Sequence, residues 1–158
     1  MRISESSPGT ILIEADQAMT AHCRTVGRLA EIAIAPDDIG EPSRLYPRAY
    51  LDPAEDIQEA VWQLGNHERL RVEFSEELTR YTASLDVLEA DGCVELHGED
   101  ADAWMTVMNL TRLKLHQDLG VTDADVESED ETTVAYAMLY AWMGEICDVL
   151  CRLIAGPM

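Results

Sequence analysis

Basic side chains are scarce in this sequence. Its 158 residues include 11 Lys and Arg against 31 Asp and Glu, which gives a formal net charge of −20. Nucleic-acid binding requires clustered Lys and Arg that neutralise phosphates, so the composition argues against direct DNA binding. A surface this acidic also repels anionic membranes, whereas it attracts basic protein surfaces.

Signals for export and membrane insertion are lacking as well. No apolar run approaches the roughly 20 residues of a membrane helix. Residues 1–21 show neither the basic start nor the continuous apolar stretch of a signal peptide. We therefore expect no membrane partner and a cytoplasmic location, where cysteines are normally thiols. Four cysteines there indicate core packing, metal binding or a redox switch rather than a disulfide framework; they are Cys23, Cys93, Cys147 and Cys151.

Catalytic motifs are also missing. The sequence contains no glycine-rich phosphate loop, no G-x-S-x-G and no H-E-x-x-H. Carboxylates are so frequent that no pair of them is distinguished as a general acid and base. The sequence therefore predicts a protein that is not an enzyme and that carries no cofactor.

The patterns that are present predict a single, mainly α domain over residues 1–158. Apolar residues make up 47% of the chain, which is enough for one core. Residues 1–9 are polar and are expected to form a flexible tail. Two short β-branched stretches, Thr10–Glu14 and Cys93–His97, are expected to pair as a small two-stranded element. A loop rich in Pro and Gly is expected between Ala35 and Asp52, lying against the core.

The spacing of apolar residues predicts about five helices around that core. Asp16 is the expected cap of the first, and a break or kink at Gly65-Asn66 is expected to separate the second from the third. The predicted helices run from Asp16 to about Ala33, from Asp52 to about Leu64, through Leu70–Leu88, from Gly98 to Leu119, and through Val134–Ala155, stopped by Gly156-Pro157.

Two cysteines of the last predicted helix, Cys147 and Cys151, form the most specific pattern. Residues four apart share one face of a helix, with Cα atoms roughly 6 Å apart. A disulfide between them is within reach, but the nearly parallel Cβ vectors would force the helix to distort, as a redox switch requires. Two small side chains that fill a tight helix contact beside Gly144 would show the same spacing. For thiolate formation, Asp148 is unfavourable, as is Glu145, whereas Arg152 is favourable.

A second group of candidate site residues lies on the second predicted strand. Cys93, Glu95 and His97 alternate and therefore point to one side, where they could supply three metal ligands. A solvent-facing strand with a mixed polar face gives the same pattern. Cys23, in contrast, falls in the apolar stripe of the first helix and is predicted to be a core residue.

The last predicted helix has few charged residues, which is typical of a helix buried in a bundle or in a subunit interface. Its apolar surface around Tyr140, Met143, Gly144 and Cys147 exceeds what one small domain easily covers. We therefore expect a homodimer that forms through this helix.

Several stretches, in this order and spacing, resemble the actinobacterial DUF2017 family, a domain of unknown function. The resemblance covers nearly the whole chain from about residue 11. The stretches are Arg44–Tyr50, Glu73–Thr79, Val94–Leu96 with Ala103–Trp104, Asn109–Leu113 with Leu119–Val121, and Tyr140–Met143.

This resemblance implies a function, because the family includes oxidative-stress transcription regulators of the AosR type. Such proteins use a C-x-x-x-C disulfide and work with RNA polymerase and a stress sigma factor, and Cys147 and Cys151 match that spacing. The implied function is a redox-responsive transcription regulator. The alternative is a non-catalytic acidic interaction or adaptor module, whose cysteines are structurally buried and inert.

Overall fold

A computed structural model describes residues 1–35 and 52–155 of the chain. The described residues form four α-helices, two 3-10 turns and one three-stranded antiparallel sheet, which confirms the mainly α fold. Most of the predicted Pro- and Gly-rich loop and the predicted Gly156-Pro157 stop lie outside the described residues. The elements are β1 (Arg2–Ser7), β2 (Thr10–Glu14), α1 (Gln17–Ile34), a 3-10 turn (Pro53–Glu55), α2 (Asp56–Asp91), β3 (Cys93–His97), α3 (Gly98–Leu119), a second 3-10 turn (Asp123–Glu127) and α4 (Glu131–Ala155).

The predicted pairing of the two short strands is confirmed, and its direction is antiparallel. β2 lies at the centre of the sheet, between β1 and β3. Alternation along each strand sends one set of side chains to each face. Facing pairs such as Ile13 and Val94 are buried against the helices, while the other face of β3 is exposed.

The prediction of a flexible tail over residues 1–9 is wrong. Most of this segment is β1, an edge strand that pairs antiparallel with β2, so the sheet has three strands rather than two. The Pro8-Gly9 pair is the hairpin turn, and Gly9 has a φ of +78°, which favours glycine. Met1 and Ile3 pack against the core, and Arg2 pairs with Glu14 on the neighbouring strand. The polar composition concealed an edge strand that needs only one apolar face.

Four α-helices, not five, appear among the described residues, because α2 continues through Gly65-Asn66. At 1.5 Å per residue, its 36 residues span roughly 54 Å. A glycine in a helix costs only about 1 kcal/mol, which the neighbouring turns can offset. The Asn66 side-chain amide donates to the Trp62 carbonyl at 2.9 Å and so adds a bond within the helix instead of ending it.

The helix ends near α4 are closed by local hydrogen bonds. α3 ends at Leu119, as the sequence predicts, and Gly120 follows it with a φ of +68°. Asp130 caps α4, because its carboxylate accepts from the Thr133 amide at 2.7 Å. A capping box between Thr122 and Asp125 fixes the second 3-10 turn.

The centre of the core is an aromatic pair that joins α2 and α3. The rings of Tyr81 and Trp104 are fully buried, with centroids 4.8 Å apart. The Trp104 indole donates to the Ser84 hydroxyl at 2.7 Å, and the Tyr81 hydroxyl donates to the carbonyl of Cys23 on α1 at 2.8 Å. Three helices are thus held in register by buried, satisfied polar groups.

α4 is the one helix among the described residues that is long and apolar enough to cross a membrane. Core helices of soluble proteins meet the same criterion of length and composition, and 28% of the most apolar stretch of α4 is buried. The buried side chains of α4 complete the core on the α3 side; they are Ala137, Met143, Ile146, Cys147 and Leu150. The cytoplasmic location stays a prediction.

Candidate functional site

Cys147 and Cys151 lie one turn apart on the face of α4 that turns toward α3. Both are free thiols, but their surroundings differ. Cys147 is 7% exposed and belongs to the core, whereas Cys151 is exposed. The pair therefore consists of one buried thiol and one thiol that solvent can reach.

Both thiols contact α3 through residues that lie one turn apart on it. The Cys147 thiol donates weakly to the Asn109 side-chain carbonyl at 3.8 Å and lies 4.0 Å from the Met105 carbonyl oxygen. The Cys151 Sγ lies 3.4 Å from the Met105 Sδ. Met105 thus touches both cysteines, once with its backbone and once with its thioether.

A cation from α3 lies beside the buried thiol. The Arg112 guanidinium stacks on the Tyr140 ring, with Cζ 4.3 Å from the ring centroid. It crosses α4 at Gly144, where a Cβ atom would lie 3.2 Å from Cζ, so the missing side chain allows this close approach. Its Nη2 lies 4.0 Å from the Asp123 carboxylate, and its buried Nε has no hydrogen-bond partner among the described residues.

Burial dominates the acidity of Cys147. Loss of hydration raises the pKa of this thiol from its ordinary 9.0 to about 11. The positive charge of Arg112 acts in the opposite direction and lowers the pKa, while Cys151 and Asp148 raise it. The unfavourable effect predicted for Asp148 is therefore confirmed for Cys147.

The cation that acts on Cys147 differs from the one predicted from the sequence. Arg152 turns back along its own helix and donates to the Asp148 carbonyl at 3.1 Å. The cation that lowers the pKa of Cys147 is Arg112, which the sequence pattern did not single out. The spacing of Met105, Asn109 and Arg112, at i, i+4 and i+7, is the signal that marks them as one face of α3.

The strand trio of Cys93, Glu95 and His97 does not gather into a metal site. These side chains share the exposed face of β3, as predicted, but Glu95 and His97 make contacts across the sheet instead. Ser6 donates to the Glu95 carboxylate at 3.1 Å, and the His97 ring lies 3.2 Å from the Thr10 hydroxyl. No group of three or more His, Cys, Asp or Glu in residues 1–35 and 52–155 is placed to hold a metal ion.

The predicted role of Cys23 is confirmed. The residue is fully buried in the main core, and burial raises the pKa of its thiol to about 11. Its backbone carbonyl accepts the Tyr81 hydrogen bond, so the position serves packing between α1 and α2.

The exposed apolar surface of α4 around Tyr140, Met143, Gly144 and Cys147 is smaller than the sequence predicted. Met143 and Cys147 are covered by the chain's own core, and Arg112 lies over Tyr140 and Gly144. α3 thus covers the surface that the sequence assigned to a second subunit. Large apolar side chains that stay exposed on α4 are Tyr136, Met138 and Ile154.

The raised pKa of Cys147 predicts a loss of stability at alkaline pH. The folded chain holds this proton more tightly than the unfolded chain, so the contribution to stability is complete below pH 9 and is lost as the pH rises toward 11. At 1.36 kcal/mol per pKa unit, the loss reaches at most about 2–3 kcal/mol. Urea unfolding under reducing conditions measures it.

The matched control is Cys147→Ala, which removes this thiol and keeps Cys23 and Tyr81, the other two buried groups whose pKa is raised. The free energy of unfolding of the parent should fall more steeply between pH 9 and 11 than that of the variant. Equal slopes would show that the Cys147 thiol is not desolvated.

The fold and the site together define a class: an acidic, mainly α domain with a thiol pair at the contact of two helices. The chain belongs to the family described as domain of unknown function (DUF2017), whose model matches residues 10–154. The resemblance noted in the sequence motifs is thereby confirmed for the family. The oxidative-stress regulator subgroup stays a prediction. Comparisons with curated proteins and with solved structures each gave no match.

Proposed function

We propose that the protein is a redox-responsive transcription regulator that acts through a thiol–disulfide pair, Cys147 and Cys151. One observation supports this most: an exposed and a buried free thiol lie on the same face of one helix, at its contact with a neighbour. Redox-sensing cysteines are typically an accessible thiol beside a second one that resolves it.

The chemistry requires hydrogen peroxide as oxidant and proceeds in two steps. The Cys151 thiolate attacks one peroxide oxygen, the O–O bond breaks, and Cys151 becomes a sulfenic acid, while the hydroxide that leaves takes up the proton lost by the thiol and becomes water. The Cys147 thiolate then attacks the Cys151 sulfur, the S–O bond breaks, and the oxygen leaves as hydroxide, which takes up the second thiol proton and becomes the second water. Two thiols are oxidised to one disulfide, and the peroxide is reduced to two waters.

The second step disturbs the end of α4. Cβ atoms four residues apart in a helix are about 5–6 Å apart, whereas a disulfide requires about 3.5–4.5 Å. Closing the bond therefore draws Cys147 from its contact with Asn109 or opens the last turn of α4. Packing around Met105 and Arg112 changes in either case, so the contact of α3 with α4 reports the redox state.

An acidic segment next to the site supports a protein partner with a basic surface. Residues 123–131 contain Asp123, Asp125, Glu127, Glu129, Asp130 and Glu131. Hydrogen bonds from Thr122 and Thr133 lower the pKa of Asp125 and Asp130, respectively, so both carboxylates stay charged. Through the family resemblance, the partner proposed is RNA polymerase or a stress sigma factor.

The homodimer belongs to the same proposal. It would use the side chains of α4 that stay exposed, above all Met138, at 61% exposure. Oxidation at Cys151 lies on the same helix, so assembly is one of the properties that the disulfide can change.

A second candidate function is supported by the burial of the thiols. Cys23 and Cys147 are both core residues with pKa values raised to about 11, as expected for cysteines that only pack. In that case the chain is an acidic interaction or adaptor module without redox chemistry. Thiol accessibility separates the two functions, since inert core cysteines react only after unfolding.

Treatment of the reduced full chain with hydrogen peroxide tests the proposed function. We expect loss of two thiols, a Cys147–Cys151 disulfide in a peptide map, and a change in sedimentation or in binding to the polymerase. The Cys147→Ser/Cys151→Ser double variant should fold and show neither, while Cys93→Ser should respond like the parent. A double variant that still responds as the parent does would refute this thiol pair as the sensor.

A further inference from the structure

Three sulfur-containing residues meet where α3 packs against α4. Cys147 and Cys151 share a face of α4, and the Met105 Sδ from α3 lies 3.4 Å from the Cys151 Sγ. The Met105 carbonyl oxygen lies 4.0 Å from the Cys147 Sγ, so Met105 contacts both cysteines. Two thiols and one thioether from two packed helices form a set of soft ligands.

We propose that the reduced Cys147–Cys151 pair, with the Met105 thioether, binds a soft monovalent metal ion, copper(I). This site goes beyond the redox function, because it uses the thiols in the reduced state and requires no disulfide. Binding involves no electron transfer: the two thiols release their protons to solvent, and two thiolate–metal bonds form.

The geometry of an intact helix favours a metal bridge over a disulfide. The Cβ atoms of Cys147 and Cys151 are about 5–6 Å apart on a regular helix. A sulfur–sulfur bond of about 2.05 Å is too short to join them without distortion. Two metal–thiolate bonds, each about 2.3 Å in zinc sites, add roughly 2.5 Å to the bridge. The reduced helix is therefore already spaced for a metal ion between the two sulfurs.

The composition of the ligand set points to copper(I) rather than to zinc. Thiolate and thioether ligands select soft ions such as copper(I), whereas Zn²⁺ sites are built from three or four ligands of the Cys, His or carboxylate type. No His, Asp or Glu among the described residues completes such a group with the two cysteines. A third sulfur from Met105 suits a soft ion of low coordination number.

A positive charge lies close to the proposed site, which would carry a net charge of −1 with two thiolates and one copper(I) ion. The Arg112 guanidinium from α3 lies over the Tyr140 ring and against Gly144, one turn before Cys147. The exposed thiol of Cys151 gives the ion its route of entry, and the buried thiol of Cys147 then shields it from water.

Titration of the reduced full chain with copper(I), without oxygen and in competition with a chromogenic copper(I) chelator, tests the site. All variants carry Cys93→Ser, which removes the other exposed thiol. We expect one equivalent of copper(I) with thiolate-to-copper absorption in the ultraviolet, and loss of both in Cys147→Ser and in Cys151→Ser. Met105→Leu should keep the thiols but weaken affinity at least ~10-fold, the smallest effect typical of even an outer-shell change.

Two results would overturn the site: unchanged copper(I) affinity in the Cys147→Ser/Cys151→Ser double variant, or unchanged affinity in Met105→Leu. Peroxide treatment of Met105→Leu separates this inference from the proposed function, because the disulfide requires no thioether. A chain that forms the disulfide but binds no copper(I) refutes the metal site alone. A chain that binds copper(I) but forms no disulfide refutes the redox function alone.

Discussion

In the Cys147→Ser variant, hydrogen peroxide should rapidly convert Cys151 to a sulfenic acid. In the Cys151→Ser variant, Cys147 should stay unoxidised over the same time. The reacting species is the thiolate, and at pH 7 a thiol with a pKa of about 11 is ionised in about one molecule in ten thousand. Cys147 is in addition 7% exposed, whereas Cys151 is exposed to solvent. We therefore expect the rates to differ by more than tenfold.

A sulfenic-acid probe of the dimedone type, followed by mass spectrometry, measures this difference. Both variants should carry Cys93→Ser, so that the only other cysteine is the fully buried Cys23. Denatured samples provide the control, since the two thiols should then react at similar rates. Faster labelling of Cys147 than of Cys151 in the folded chain would reverse the proposed order of oxidation.

Replacing Trp104 with alanine should remove a large part of the stability of the domain. Trp104 is fully buried, packs at a tilt against the Tyr81 ring and donates to Ser84. Truncation of a buried aromatic side chain to alanine costs about 3–5 kcal/mol, against a typical total of about 5–15 kcal/mol. Urea unfolding under reducing conditions should show a correspondingly lower midpoint.

Two variants identify the source of that loss. Trp104→Phe keeps most of the buried area and loses the bond to Ser84, so it should cost about 1–2 kcal/mol. Trp142→Ala truncates a partly buried tryptophan of α4 and should cost less than about 2 kcal/mol. If Trp142→Ala were the more destabilising of the two alanine variants, Trp104 would not be the centre of the core.

Local signals predicted the elements whose sequence carries its own pattern. The sequence predicted the β-branched stretch Thr10–Glu14, the Asp16 cap and the end of α3 at Leu119, because each depends on neighbouring residues alone. β1 was missed because an edge strand tolerates a polar sequence. The break at Gly65-Asn66 was wrong because propensity is a weak guide inside a long, packed helix.

In the candidate site, too, the sequence predicted the local features and missed those that depend on packing between helices. Helical spacing predicted that Cys147 and Cys151 share a face, since that follows from the period of one helix. Their unequal burial was not predicted, nor were the contacts with Met105 and Arg112, because both depend on how α3 packs against α4. Met105 and Arg112 precede Cys147 by 42 and 35 positions in the sequence, and the three come together only in the folded chain. No local pattern therefore fixes which cation lies beside Cys147.

The position of Arg112 makes one side chain common to three parts of the molecule. It stacks on Tyr140 of α4, lies near the carboxylate of Asp123 in the acidic turn, and its charge acts on the Cys147 thiol. Ligand effects on a shared group are reciprocal in free energy. Under the proposed function, a basic partner bound at Asp123 would draw that carboxylate away from Arg112, and a shift of the guanidinium would change the acidity of the Cys147 thiol. Such a partner would then shift the thiol–disulfide equilibrium by the same factor by which oxidation alters the partner's affinity.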